Sequence, residues 1–350
     1  MLSKLLHTFR QQGVSLWLLA GAMVVLAAVA APWLNPYYTR VMTMGLLCGY
    51  LAASWNFIGG YAGQMSLGHA IFFAIGSYSV ALLVKVPSLP LVLALPISVA
   101  VSIVIAWIIA TICFRYALRG IYFAVGTLLL AEIARILVVN SSSLGRSQGL
   151  QIPPTEGVLN LGFSSDLPYF YIFLLMCVVL ALSTAIVERS KLGYDMVALR
   201  EQEEGAKALG VDVAGVKRLS FVISAALTCV GGVIYAGLVR YVEPGYDLSL
   251  TITLVMVMGA VLGGRGTVLG PFLGGGLVVL IQEALIAAGS LVGTTSVSAL
   301  AQMTYGLFFV VVLLVFPRGI IGQLLHWRND CKATTPPAEA NAGGKLTCSV

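Results

Sequence analysis

The stretch Gly59–Leu83, GGYAGQMSLGHAIFFAIGSYSVALL, decides the fold class of this chain. Its second half is a continuous apolar run, yet it opens with Gly59, Gly60, Gly63 and Gly68, with Gln64, Ser66 and His69 between and after them. A membrane interior offers no water to unpaired backbone groups, and each one left bare there costs several kcal/mol. Non-helical backbone at that depth is tolerated only where protein buries it or where it lines a watery cavity. Gln64, Ser66 and His69 are side chains able to satisfy such a segment. The glycines have two readings that can hold together: close helix packing, as in the small-x-x-x-small spacings Gly45/Gly49, Gly266/Gly270 and Gly270/Gly274, and a broken or re-entrant segment beside a translocation pathway. On the second reading Gly60, Gly63, Gln64, Ser66, Gly68 and His69 are pathway candidates, although a lone buried histidine is more often structural.

The rest of the chain fits a membrane setting. Its 350 residues are 59% hydrophobic and only 10% charged, with a mean hydropathy of +0.96, against roughly 25% charged for a soluble domain. Ten segments are long or apolar enough to be spanning candidates: 16–34, 41–58, 62–84, 91–113, 120–139, 168–187, 219–240, 249–263, 267–288 and 300–316. The third, eighth and ninth are short or rich in glycine. Runs such as MVVLAAVAA are continuously apolar, which excludes the alternating pattern of a membrane barrel. The expected fold is therefore an all-α bundle of about ten transmembrane helices, over 16–325, with a short N-terminus at 1–15 and a tail at 326–350 of disordered composition. The first segment follows Lys4 and Arg10 and contains an A-x-A pattern, but it exceeds the roughly 7–15 residues of a signal-peptide core and is expected to stay as a helix.

Charge sets the orientation. With both termini on the cytoplasmic side, only Arg40, Lys85, Arg146 and Arg240 fall on the outer side, and nearly all other Lys and Arg residues fall inside, as the positive-inside rule requires. The net charge of +6 is explained by that asymmetry and needs no nucleic-acid partner. The six cysteines, Cys48, Cys113, Cys177, Cys229, Cys331 and Cys348, show no C-x-x-C spacing and read as small hydrophobes.

Two loops stand out. Residues 140–167 are rich in Ser, Gly and Pro and read as an ordered outer loop or short cap. Residues 188–218 form the only long, highly charged inner loop. Met196, Leu199, Ala206 and Leu209 recur there at helical spacing, and Gly210 supplies a helix stop, so a single short amphipathic surface helix is expected. An internal echo links GGYAGQMSLG at 59–68 with GGRGTVLG at 263–270, the pattern of a transporter with two related halves meeting at the pathway. Inside the fifth segment Glu132 and Arg135 lie three apart on one helix face. Ionisable residues in a span usually face the bundle interior or a cavity, so the two are read either as a structural ion pair or as part of the pathway. No H-E-x-x-H, G-x-S-x-G or P-loop motif occurs, and neither catalysis, a metal nor a bound cofactor is expected in this chain.

Five stretches, GYAGQMSLGHAIFFAIGSY (60–78), LRGIYFAVGTLLLAEIARIL (118–137), EEGAKALGVDVAGVKRLSFVISA (203–225), GGRGTVLGPFLGG (263–275) and FPRGIIGQL (316–324), together resemble the LivM-type permease subunits of bacterial high-affinity branched-chain amino acid ABC importers. The resemblance runs from Met42 to Leu325, with its motifs in order. It implies a multi-pass subunit of the bacterial inner membrane that works by alternating access. The implied partners are two ABC ATPases that carry the ATP, a LivH-type sister permease and a periplasmic or lipid-anchored binding protein, within membrane lipid. In that family an E-A-A-x-x-x-G loop docks on the ATPase. Here Glu204, Gly205, Ala206 and Gly210 occupy those places, with Gly instead of the first Ala. The competing reading is an ion-coupled secondary transporter or channel for a small polar solute, using Glu132 or His69.

Overall fold

A computed structural model describes residues 14–84, 91–116, 118–153, 163, 165–291 and 306. The expected N-terminus, the tenth segment at 300–316 and the tail lie outside them. The described part is a helix bundle. Its elements are α1 (Val14–Ala30), α2 (Pro36–Asn56), α3 (Ala70–Val84), α4 (Leu91–Arg115), α5 (Ile121–Asn140), β1 (Leu150–Gln151), α6 (Leu167–Val187), α7 (Lys191–Glu201), α8 (Glu203–Ala208), α9 (Val213–Val239), β2 (Tyr241–Val242), α10 (Pro244–Asp247), α11 (Leu250–Gly263) and α12 (Gly270–Leu291). Among the described residues, six helices are long and apolar enough to cross a membrane, and three shorter apolar helices, Gly21–Trp33, Ala70–Leu83 and Leu250–Gly263, accompany them.

The third expected segment, 62–84, departs from its reading. Only α3 is helical in it, and at 15 residues it is about 22 Å long at 1.5 Å per residue, short of the roughly 30 Å hydrocarbon thickness. Residues 62–69, without regular structure, connect α3 to the π-helical turn, Phe57–Tyr61, that ends α2.

Helices α2 and α9 form the centre, each with 72% of its apolar window buried. In lipid there is no hydrophobic gain from bringing apolar helices together, so close packing depends on small residues. A Cβ added at Gly49 of α2 would come 2.7 Å from the Phe272 carbonyl of α12, and one at Gly259 of α11 would come 2.9 Å from Gly275 Cα. Gly76 of α3 and Gly232 of α9 are likewise filled by each other's helix backbone. The packing reading of the glycines holds in these helices.

At one end of α9 lie α7 and α8. At its other end β2 pairs antiparallel with β1, with Leu150 opposite Val242 and Gln151 opposite Tyr241. The described part of the loop at 140–153 is thereby tied down: two single 3-10 turns lead into β1, and Leu150, Ile152 and Val242 pack with Tyr78 and Val233 in a small apolar cluster.

Candidate functional site

The glycine-rich segment, exposed only at Gly63 and Met65, is held by polar groups drawn from across the bundle. The Gln64 N–H donates to the Ile58 carbonyl at 2.9 Å. Leu67 N donates to Thr127 Oγ1 of α5 at 3.0 Å, and Ala70 N donates to Thr253 Oγ1 of α11 at 3.0 Å. The Ser66 carbonyl accepts from the Trp55 indole at 2.8 Å. Side chains of α2, α5 and α11 thus meet the Ser66 carbonyl and the Leu67 and Ala70 amides where the helical ladder is broken, as backbone among spanning helices requires.

His69 completes this set. Its ring is fully buried, flanked edge-on by Phe72 and Phe221. Nδ1 lies 3.0 Å from Ser66 Oγ and Nε2 lies 2.8 Å from Ser224 Oγ. Ser224 gives its single hydroxyl proton to the Ser54 carbonyl at 2.7 Å, so it can only accept from His69. In the neutral ring Nε2 therefore carries the hydrogen and Nδ1 accepts from Ser66. Both ring nitrogens are used, and the ring ties α9 and the end of α2 to the irregular segment.

The second glycine-rich turn lies against the first. After α11 the chain passes through Gly264 and Gly266, both with positive φ, before α12 begins. The Asn56 side chain, at the end of α2, bridges the two turns: its Oδ1 accepts from Gly266 N at 2.9 Å and its Nδ2 donates to the Thr267 carbonyl at 3.1 Å. The internal echo in the sequence thus corresponds to two helix breaks in contact. A third element joins them. Arg200 of α7 donates through Nη1 to the Gly60 carbonyl at 3.1 Å, and a Cβ at Gly63 would come 2.9 Å from Arg200 Cγ. Asn56 and Arg200 were not singled out by sequence reasoning. An Asn closing an apolar segment just before FIGG was a usable signal; Arg200 had none beyond being one charge in a charged loop.

The charged loop differs from its expectation. Instead of one helix it holds two, because Gln202 adopts an extended conformation (φ −155°, ψ 106°) between α7 and α8. Met196, Leu199 and Ala206 are buried as the spacing predicted, but Leu209 is 84% exposed, since the turn after α8 carries it off the inward face. Gly210 does end the helix. It sits at φ +84°, with Val211 N bonded to the Ala206 carbonyl at 3.1 Å and its own N–H to the Lys207 carbonyl at 3.0 Å, the Schellman arrangement.

The start of α8 is clamped by cations. Glu203 pairs with the buried Lys217 Nζ of α9 at 2.8 Å and with Arg119 Nε at 3.3 Å, and Glu204 pairs with Arg119 Nη1 at 2.9 Å. The hydrogen bond from Arg119 holds the Glu204 carboxyl below the usual carboxylate range. Two clefts flank the Gly210 turn. One of about 420 Å³ includes Lys191, Asp195, Leu209 and Gly210; the other, of about 290 Å³, includes Arg119, Glu203, Lys207 and Lys217. Gly205 is half-buried, and a Cβ there would sit 3.2 Å from Gln202 Oε1, so the Gly that replaces the pattern's first Ala leaves little room to spare.

Glu132 and Arg135 do pair, with Arg135 Nε 3.0 Å from both carboxylate oxygens. Their side chains are 49% and 36% exposed. They lie on the outer surface of α5, turned away from the interior, and are not brought together with Gly60, Gly63, Gln64, Ser66, Gly68 and His69.

Comparison with known proteins gives a family match over residues 37–316, to a model described as branched-chain amino acid transport system / permease component. The chain is 29% identical over 290 residues to the high-affinity branched-chain amino acid transport system permease protein LivM of Salmonella typhimurium, covering 75% of this chain and 67% of that protein. It is 27% identical over 302 residues to the permease protein BraD of Pseudomonas aeruginosa, covering 81% and 94%, and 25% identical over 302 residues to LivH of Escherichia coli, covering 81% and 93%. No solved structure matches.

Proposed function

The chain belongs to the family of branched-chain amino acid transport permease components, and from that premise we propose that it is one membrane half of an ATP-driven importer of branched-chain or related small amino acids. The observation that carries this reading is the construction of α8: Glu204, Leu209 and Gly210 are exposed, between two clefts, at the end of the bundle where both glycine breaks lie. A secondary transporter has no use for such a surface.

On this reading the α7–α8 end is cytoplasmic, as are both termini. A pair of ATPase subunits that hold the ATP dock at the Gly210 turn and its clefts, a LivH-type chain completes the pathway, and an external binding protein delivers the amino acid at the β1–β2 end. A change of nucleotide state can move the bundle only through a difference in how tightly the ATPase holds two arrangements of α8. The glycine breaks are the places where helices can swing without stretching a regular hydrogen-bond ladder.

The test is purification from the native membrane of the wild type beside Gly210→Asp, with every co-purifying chain identified by mass spectrometry. A Cβ at Gly210 meets nothing within 4 Å, and Asp is among the residues that enter the left-handed region most readily, so the variant should fold and insert. Expected are ATPases and a related permease with the wild type, and loss of the ATPases and of ATP-dependent uptake in the variant. A chain that emerges alone in both preparations would overturn the reading in favour of a secondary transporter.

A further inference from the structure

We propose that Arg200 is a positioning residue that carries movement of α8 to both glycine-broken turns at once, an inference that rests on the importer reading above. Three observations converge on it. The guanidinium donates to the Gly60 carbonyl in the π-helical turn that ends α2, where terminal carbonyls carry partial negative charge and a cation binds best. The stem of the same side chain fills the space beside Gly63, at φ +67°, and its Nη1 fills the space beside Gly266, at φ +72°. The guanidinium is steadied from its outer side by Glu201, with Nη2 2.9 Å from Oε1.

Arg200 lies in the last turn of α7, two residues before the extended Gln202 where α8 begins. On the far side, Glu203 and Glu204 hold α8 to Arg119, in the connection before α5, and Glu203 holds it to Lys217 of α9. A load placed on the Gly210 turn therefore rocks α8 against the Arg119–Lys217 clamp and draws on Arg200 through Gln202. Because Asn56 stitches Gly60's helix to Gly266 and Thr267, displacement of Arg200 acts on the two breaks together. A planar fork with several donors can hold the Gly60 carbonyl and Glu201 while lying against Gly266; a lysine ammonium offers a point charge and only part of that contact.

The experiment uses the complete transporter in proteoliposomes, with its binding protein loaded with L-leucine, and reads uptake and ATP hydrolysis in parallel. For Arg200→Ala we expect the ATPases to co-purify as in the wild type and basal hydrolysis to persist. Stimulation of hydrolysis by loaded binding protein is lost, and uptake falls roughly five- to tenfold. Arg200→Lys restores part of both. Gly266→Ala, which keeps Arg200 but displaces its guanidinium from the turn, should lose stimulation in the same way and serves if Arg200→Ala fails to insert. Wild-type stimulation in either variant, or a fall of basal hydrolysis in proportion to uptake, would overturn the assignment. If the wild type itself carries no ATPase, the importer reading falls first and this one with it.

Discussion

At the scale of single residues, small hydroxyls do work that the composition does not advertise. Thr127 accepts from Leu67 N and is buried, so Thr127→Val keeps the volume but leaves that amide unpaired. The expected cost is about 1–3 kcal/mol, read as a lower melting temperature in detergent; Thr127→Ser, which keeps the acceptor, should melt close to wild type. If Val and Ser behave alike, the hydrogen bond contributes nothing. Asp247 makes a second case. Its buried carboxyl accepts from Ser77 Oγ at 2.9 Å. Burial, with Glu243 nearby, pushes its pKa up to about 7 from 3.8, against the lowering effect of the Ser77 bond. Tyr78, Tyr235 and Tyr246 are the other titratable groups around it. A folded-state pKa above the unfolded value means that the folded protein keeps a proton the unfolded chain has released. Stability on this account is greatest below the unfolded value and declines as pH rises toward 7. The melting temperature should fall between pH 5 and pH 7, and Asp247→Asn should flatten that slope. An equal slope in the variant would assign the pH dependence elsewhere.

At the scale of elements, α5 is the least buried of the long helices, with 22% of its window inside. It touches the bundle along Phe123, Ala124, Thr127 and Ala131. The Glu132–Arg135 pair faces away from that stripe. Removing either partner leaves a lone charge on a surface that faces lipid or another chain, which costs more than removing both. Glu132→Gln and Arg135→Gln should therefore each lower the melting temperature more than the double variant does. Simple additivity would show that the two charges are not coupled. A spacing of three fixes that two residues share a face without fixing which way the face points, so the sequence left a structural ion pair and a pathway role side by side. The structure shows the pair formed on an exposed face. The α7–α8 hairpin shows the same limit from another side. The apolar spacing of Met196, Leu199 and Ala206 was legible and correct, while the break at Gln202 follows from anchoring on both sides, α7 to the glycine turns through Arg200 and α8 to Arg119 and Lys217, and none of these contacts leaves a local mark.

For the whole molecule, the two ends of α9 differ in kind: one carries the charged hairpin and both glycine breaks, the other the β1–β2 pair and the buried acid. With Cys331 and Cys348 replaced by Ser, a cysteine at Leu209 should be labelled by an impermeant maleimide from the cytoplasmic side only. One at Tyr241, which is 40% exposed, should be labelled from the outer side only; the opposite pattern would reverse the orientation. By itself the sequence determined the all-helical membrane class, the places where helices break and the loop that carries concentrated charge, because hydropathy, glycine and charge act over neighbouring residues and leave local patterns. Only the tertiary structure decided what fills those patterns. The Leu67 and Ala70 amides are met by Thr127 and Thr253, His69 is spent on Ser66 and Ser224, Asn56 and Arg200 join two turns about two hundred residues apart, and Glu132 is exposed. Each of these is a contact between distant parts of the chain, fixed by how helices pack against one another, and residue order along the chain does not encode that directly.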